Sequence, residues 1–342
     1  MKSKLLYIII PILLLISCKK ESNGSLDNYY FLSIDNVALP VRVTGNPNSD
    51  IAIVFVHGGP GGSAQTERNF LYWELMEKNY KCVFYDQRGA SASQGNAKDE
   101  DFTIEKFAED LDVVVDFTKS ELQAKSVFVH GVSWGGGLAT YYCLDTTHQN
   151  KINGLIAEAP AYDTKNGMAL SVNFILNFAD SMIANNTNAI FWENLKNYYA
   201  LNPTITNENF RKHLEYMGYT NGVIYNPLTL IGRNTSIPDV NLDEAYKNEI
   251  ASAIKLKYNN EPIFKMDLTP FLSQIDIPVL LIWGAKDGLL PKDNLASKYA
   301  IAVGTPYIHY NPNKYLEAAH LPHAEDYLQF QSDAIDFIET YK

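Results

Sequence analysis

The chain alternates between short apolar runs and stretches in which apolar residues recur every three or four positions. Residues 51–56, 81–85, 126–130, 152–157, 278–283 and 306–310 form nearly uninterrupted apolar runs. Runs of that length predict strands covered on both faces. Ile104, Phe107, Ala108, Leu111 and Val114 or Val115 share one helical face, and Thr103 is placed to cap that helix. Residues 70–78 and the final stretch, with Tyr327, Phe330, Ala334, Phe337, Ile338 and Tyr341 on one face, predict further helices. Residues 30–34 and 37–43 read as two short strands joined by Asp35-Asn36. Strands alternating with helices imply right-handed crossovers and an α/β fold with a mostly parallel sheet.

The alternation breaks between 161 and 265. This region is rich in aromatic residues, among them Phe174, Phe178, Phe191, Trp192, Tyr198, Tyr199, Phe210, Tyr216 and Tyr219, at mostly helical spacing. It reads as a helical cap inserted into a core made of 29–160 and 266–342. Turn residues over 217–238 predict a long loop inside the cap. The chain of 342 residues, 46% hydrophobic, suffices for one large core with such an insertion.

The N-terminus has a different pattern. Lys2 and Lys4 precede an apolar run over 5–16, which is short for a membrane span and reads as a signal peptide, 1–17. Leu15-Ile16-Ser17-Cys18 resembles the bacterial lipobox, which implies lipidation of Cys18 and a lipid-anchored, extracytoplasmic protein of the cell envelope. An ordinary cleaved signal or an uncleaved anchor is the alternative. Polar residues 18–28 suit a tether. Losing Lys2 and Lys4 takes the formal charge from −11 to −13. That balance argues against nucleic acid as a partner and suits neutral or cationic substrates. Cys82 and Cys143 then remain, read as two buried thiols, with a disulfide as the alternative. No cysteine or histidine spacing suits structural zinc, and no cofactor is expected.

The chemistry centres on Gly131-Val132-Ser133-Trp134-Gly135, which follows a predicted strand and precedes a predicted helix over 138–144. In that context a Gly–x–Ser–x–Gly turn exposes a serine at a sharp corner, facing the positive end of a helix. A serine hydroxyl needs a base, and the base needs an orienting acid. Asp287 and His320 each follow a predicted strand, as Ser133 does, so all three fall at the carboxyl edge of a parallel sheet. Asp293 is the alternative acid and His323 the alternative base. His130, His148, His213 and His309 read as structural or surface residues. The turn 57–62, His-Gly-Gly-Pro-Gly-Gly, lets backbone approach closely. Two N–H donors for a developing oxyanion are expected from Gly59 in that turn and from Trp134.

Ser133, Asp287 and His320, in that order, resemble the α/β-hydrolase superfamily, which implies a mostly parallel sheet flanked by helices with an inserted helical cap. His-Gly-Gly-Pro-Gly-Gly at 57–62, Asp-Gln-Arg-Gly at 86–89 and Ser-Trp-Gly-Gly at 133–136 together resemble the proline iminopeptidases. That resemblance implies a serine aminopeptidase releasing N-terminal proline or another small residue. It departs from that family at Val132 and Gly136 and in the residues after Gly89. Asp86 and Arg88 are expected to hold loops together. Trp192-Glu193 resembles the family's cap site for the substrate ammonium, and Glu158, Asp163, Glu208 and Glu215 are other carboxylates for that role. The alternatives are an esterase, lactonase or amide hydrolase with the same triad, or a surface lipoprotein with a vestigial one.

Overall fold

The computed structural model describes residues 24–226 and 251–342. The expected signal peptide, Cys18, the first part of the tether and residues 227–250 of the cap lie outside the described residues.

The main sheet runs in the order β1 (Leu26–Ile34), β2 (Val37–Gly45), β4 (Lys81–Tyr85), β3 (Ile51–Val56), β6 (Ser126–Val132), β7 (Gly154–Glu158), β10 (Val279–Ile282) and β11 (Ile308–Tyr310). A two-residue strand, β5 (Gln94–Gly95), pairs with β2. From β4 to β11 every neighbour is parallel. The edge pair β1–β2 is antiparallel, to itself and to β4. All six residues of β3 are buried, because core packs on both faces of the central strands. Each large apolar side chain there, such as Phe55, contributes roughly 1.5–3 kcal/mol by leaving water.

β1 begins at Leu26, so residues 26–28 belong to the sheet rather than the tether. The reason is charge pairing across the edge: Asp27 takes a two-point bond from the Arg42 guanidinium, at 2.8 and 3.0 Å. Leu26 pairs with Gly45, and Gly45 with Lys81 at the start of β4. The chain therefore enters beside the amino ends of the parallel strands.

The helix after Ser133, α4 (Trp134–Tyr142), starts four residues earlier than expected. Its first turns contain Gly135, Gly136 and Gly137, which look like helix breakers in sequence. Here they are packing devices. A Cβ on Gly135 would collide with the Val56 carbonyl oxygen, so only glycine lets α4 lie this close to β3.

The stretch expected to form the cap contains the helices α6 (Thr164–Ala184), α7 (Ala189–Leu201) and α8 (Phe210–Gly218). Asp163 caps α6 by accepting from Asn166 N–H at 3.2 Å. After residue 251 the region also contains a small hairpin, β8 (Lys257–Tyr258) with β9 (Glu261–Pro262), that the aromatic pattern concealed. Cys82 and Cys143 are both buried, and neither is joined in a disulfide among the described residues.

Candidate active site

Ser133 sits where β6 turns into α4, with φ +56° and ψ −122°. A non-glycine residue in that region is strained and must be held by its surroundings. Its N–H donates to Glu158 O at 2.9 Å, and its C=O accepts from Gly137 N–H at 3.0 Å and Ala161 N–H at 2.9 Å. These bonds come from the end of β7 and the first turns of α4, so the elbow is braced on both sides.

Asp287 and His320, from the loops after β10 and β11, meet at the same rim. His320 Nδ1 lies 2.8 Å from Asp287 Oδ2. The other oxygen, Oδ1, accepts from Leu289 N–H at 2.9 Å and Leu290 N–H at 2.8 Å, which fixes the carboxylate plane. His320 Nε2 is buried and has no hydrogen-bond partner among the described residues, so the step to Ser133 Oγ is not closed here. Such bonds often tighten only with substrate in place. Burial lowers the His320 pKa, but the Asp287 charge and hydrogen bond outweigh it, and the net shift is upward. The alternative acid, Asp293, is exposed and inside the helix Lys292–Ala302.

The glycine turn after β3 faces Ser133. A Cβ on Gly58 would stand 3.4 Å from Ser133 Cβ, and Gly59 holds φ +119°. A chain of bonds shapes this turn. Gln87 N–H donates to His57 Nε2 at 3.1 Å, so the proton is on Nδ1, which lies 2.7 Å from Gly58 O. Burial lowers the His57 pKa and keeps the ring neutral. Holding the Gly58 carbonyl turns the Gly59 N–H the opposite way, since the two point apart across one peptide plane. The Gln87 amide also donates to His57 O at 2.8 Å and accepts from Trp134 Nε1 at 2.8 Å. Gln87 thus joins the two backbones expected to supply oxyanion donors. Sequence reasoning passed over it between Asp86 and Arg88, although its place just after a strand end was the available signal. Asp86 accepts from Ala64 and Ala92 N–H, and Arg88 forms a buried two-point pair with Asp110, both at 2.7 Å. Both hold loops, as expected.

A cavity of about 60 Å³ opens beside Ser133, between Gly59, Trp134, Ala161, Met168, Phe264 and Leu289. Its lining is apolar apart from Ser133 and Thr164, and the Thr164 hydroxyl is already spent on Ile263 O.

The carboxylates expected to meet a substrate ammonium are elsewhere. Glu193 is exposed on α7, and Trp192 is buried against Phe178 and Phe191. Glu158 is fully buried and taken by His130 Nε2 at 3.0 Å and by His323 N–H and Nδ1, both at 2.9 Å. Asp163 is committed to the α6 cap and to Lys298, and Glu208 and Glu215 are exposed. None of these side chains lines the cavity. His323 also reaches Glu67 at 3.1 Å and is locked away from Ser133, which removes it as the alternative base. Burial opposes its charge, but Glu158 and Glu67 hold its pKa up at about 10. Glu158 correspondingly stays ionised: burial raises it, yet His323 and His130 bring it down to about 2. Glu67 and Glu325 carried no sequence signal beyond the Glu in Ala-His-Leu-Pro-His-Ala-Glu.

Residues 51–327 match the family described as alpha/beta hydrolase fold. The chain belongs to that family. This alpha/beta hydrolase is 34% identical to a proline iminopeptidase of Arabidopsis thaliana over 114 residues, 33% of this chain and 27% of that protein. The match therefore spans about a quarter of that relative's length. Two solved structures share the hydrolase fold. A proline iminopeptidase of Mycobacterium smegmatis superposes with a TM-score of 0.61 at 16% identity, over 92% of this chain and 98% of the other. An esterase of Exiguobacterium antarcticum gives 0.57 at 18% identity, over 90% and 98%. At these identities the likeness establishes the fold.

Proposed function

We propose that this hydrolase releases a small apolar N-terminal residue, proline first, from peptides by serine catalysis. Ser133 attacks the scissile carbonyl. His320 takes the serine proton and passes it to the leaving amine. Asp287 holds the imidazole in the productive tautomer and stabilises its charged form. Gly59 and Trp134 N–H receive the oxyanion. The observation that carries this reading is the Asp287–His320 pair at the rim that also holds the strained Ser133 elbow. The partial likeness to proline iminopeptidases and the three shared motifs support the choice of bond. The small apolar cavity suits a prolyl ring.

A second reading, hydrolysis of short acyl esters, is favoured by one observation: no carboxylate lines that cavity among the described residues. Rates on proline arylamide and on short acyl nitrophenyl esters decide between them. A markedly higher ester rate, with no preference for a free amino group, retires the peptidase reading. Labelling by a fluorophosphonate probe that persists in Ser133→Ala retires both.

Lipid anchoring at Cys18, with the enzyme outside the cytoplasm, belongs to the same reading. It is supported by Lys2, Lys4, the apolar run and Leu15-Ile16-Ser17-Cys18. Incorporation of labelled palmitate that is unchanged in Cys18→Ala overturns it.

A further inference from the structure

Residues 222–226, the last described before position 227 of the cap, touch both loops that carry the Asp287–His320 pair. Gly222 O accepts from Gly288 N–H at 2.7 Å, and Val223 O accepts from His320 N–H at 3.0 Å. Gly288 follows Asp287 directly. Its carbonyl is taken as well, by the Ser171 hydroxyl of α6 at 2.9 Å. Both polar groups of that residue are therefore bonded to the cap.

Ser171 is itself held in place. With its proton committed to Gly288 O, its oxygen accepts from His213 Nε2 at 3.0 Å. His213 Nδ1 then accepts from the Tyr199 hydroxyl at 2.9 Å. One directed chain runs from α7 through α8 and α6 to the loop of the acid. It also explains why Ser171 and His213, though a hydroxyl beside an imidazole, are not a second nucleophile and base.

Glu325 completes the connection on the side of the base. Its Oε2 accepts from Ala319 N–H at 2.7 Å, the residue before His320. Its Oε1 accepts from Tyr225 N–H at 2.7 Å and Asn226 N–H at 3.1 Å. Three N–H donors converge on one buried carboxylate, two from the cap and one from the catalytic loop. Bonds to a charged acceptor are the stronger kind, and a partly satisfied buried network is costly.

We propose that Glu325 is a positioning residue for His320, and that with Ser171 it makes the cap a structural part of the acid–base pair rather than only a lid over substrate. The proposal rests on the reading of Ser133, Asp287 and His320 given above. It requires that weakening these bonds lower turnover more than substrate binding, because they hold the reacting groups and touch no substrate.

The test uses the full chain, a short acyl nitrophenyl ester and proline arylamide, with Ser133→Ala as the reference. Glu325→Gln keeps the shape but sets an amide N–H against Ala319 or Tyr225 N–H. Ser171→Ala removes the hydroxyl donated to Gly288 O together with the acceptor of His213 Nε2, and it carries the test if Glu325→Gln does not give a cooperative melt. The expected result for each folded variant is a kcat lower by about 10- to 100-fold, with KM within twofold and slower fluorophosphonate labelling. Folded variants with the parent kcat and labelling rate overturn the proposal. So does a variant whose whole loss lies in KM. Activity that persists in Ser133→Ala instead sinks the reading beneath it, a result distinct from either.

Discussion

Asp287 Oδ2 and His320 Nδ1 stand 2.8 Å apart, both side chains almost wholly buried, on loops 33 residues apart in the chain. The carboxylate raises the imidazole pKa against the pull of burial. A protonated imidazole cannot accept the serine proton, so kcat/KM should climb with pH through a midpoint above the ordinary histidine value of 6.5. Asp287→Asn should bring that midpoint down and reduce kcat by about 10⁴-fold. A pH–rate profile of both proteins checks this, and an unmoved midpoint counts against the pair.

Gly59 offers a second test. A Cβ there would sit 2.7 Å from Gly62 N on a backbone with φ +119°. Gly59→Ala must therefore shift the N–H proposed to receive the oxyanion. The expected loss is roughly 10²–10³-fold in kcat, about 3–4 kcal/mol of barrier, with a smaller change in KM. Steady-state kinetics on one ester substrate measure it.

The buried Glu158–His323 pair predicts how stability depends on pH. His323 is held up at about 10 from its usual 6.5, so its contribution is complete below 6.5 and fades as pH rises through 10. Glu158 is held down at about 2 from its usual 4.5, so its contribution is complete above 4.5 and fades as pH falls toward 2. The pair stabilises most between 4.5 and 6.5. Glu158→Gln leaves a buried imidazolium short of a partner and should remove ~3–5 kcal/mol. Urea unfolding at pH 6 and pH 9 should show the larger loss at pH 6.

Phe264 packs on Phe210 with ring centroids 4.6 Å apart and closes one wall of the cavity beside Ser133. Phe264→Ala should move preference toward longer acyl groups. Each methylene newly accommodated is worth roughly 1–3 kcal/mol in kcat/KM. A series of nitrophenyl esters of rising chain length reads the shift, and an unchanged optimum removes this wall from the acyl site.

The shared rim of Ser133, Asp287 and His320 was legible because each follows an apolar run, directly or in the loop beyond it, and the carboxyl end of a parallel strand is a fixed place in space. The sheet was legible for the same reason. Trp192-Glu193 misled because adjacency in sequence outweighed helical spacing. Trp192, Leu195 and Tyr199 form the buried face of α7, and that spacing already turns Glu193 outward. Gln87, Glu67 and Glu325 were hidden for a different reason. Their partners lie 30 to 256 residues away in the chain, or on backbone groups that have no identity in sequence. The early start of α4 was hidden by its glycines, whose value depends on how near β3 lies.

The register that pairs Leu26 with Gly45, and Gly45 with Lys81, sets the molecule's handle. Parallel strands have two unlike ends, and the polypeptide arrives at the one remote from Ser133. Whatever grips the protein through Gly24 holds it from behind, with the reactive face turned outward. A surface linkage or bulky tag attached there leaves the approach of substrate unobstructed.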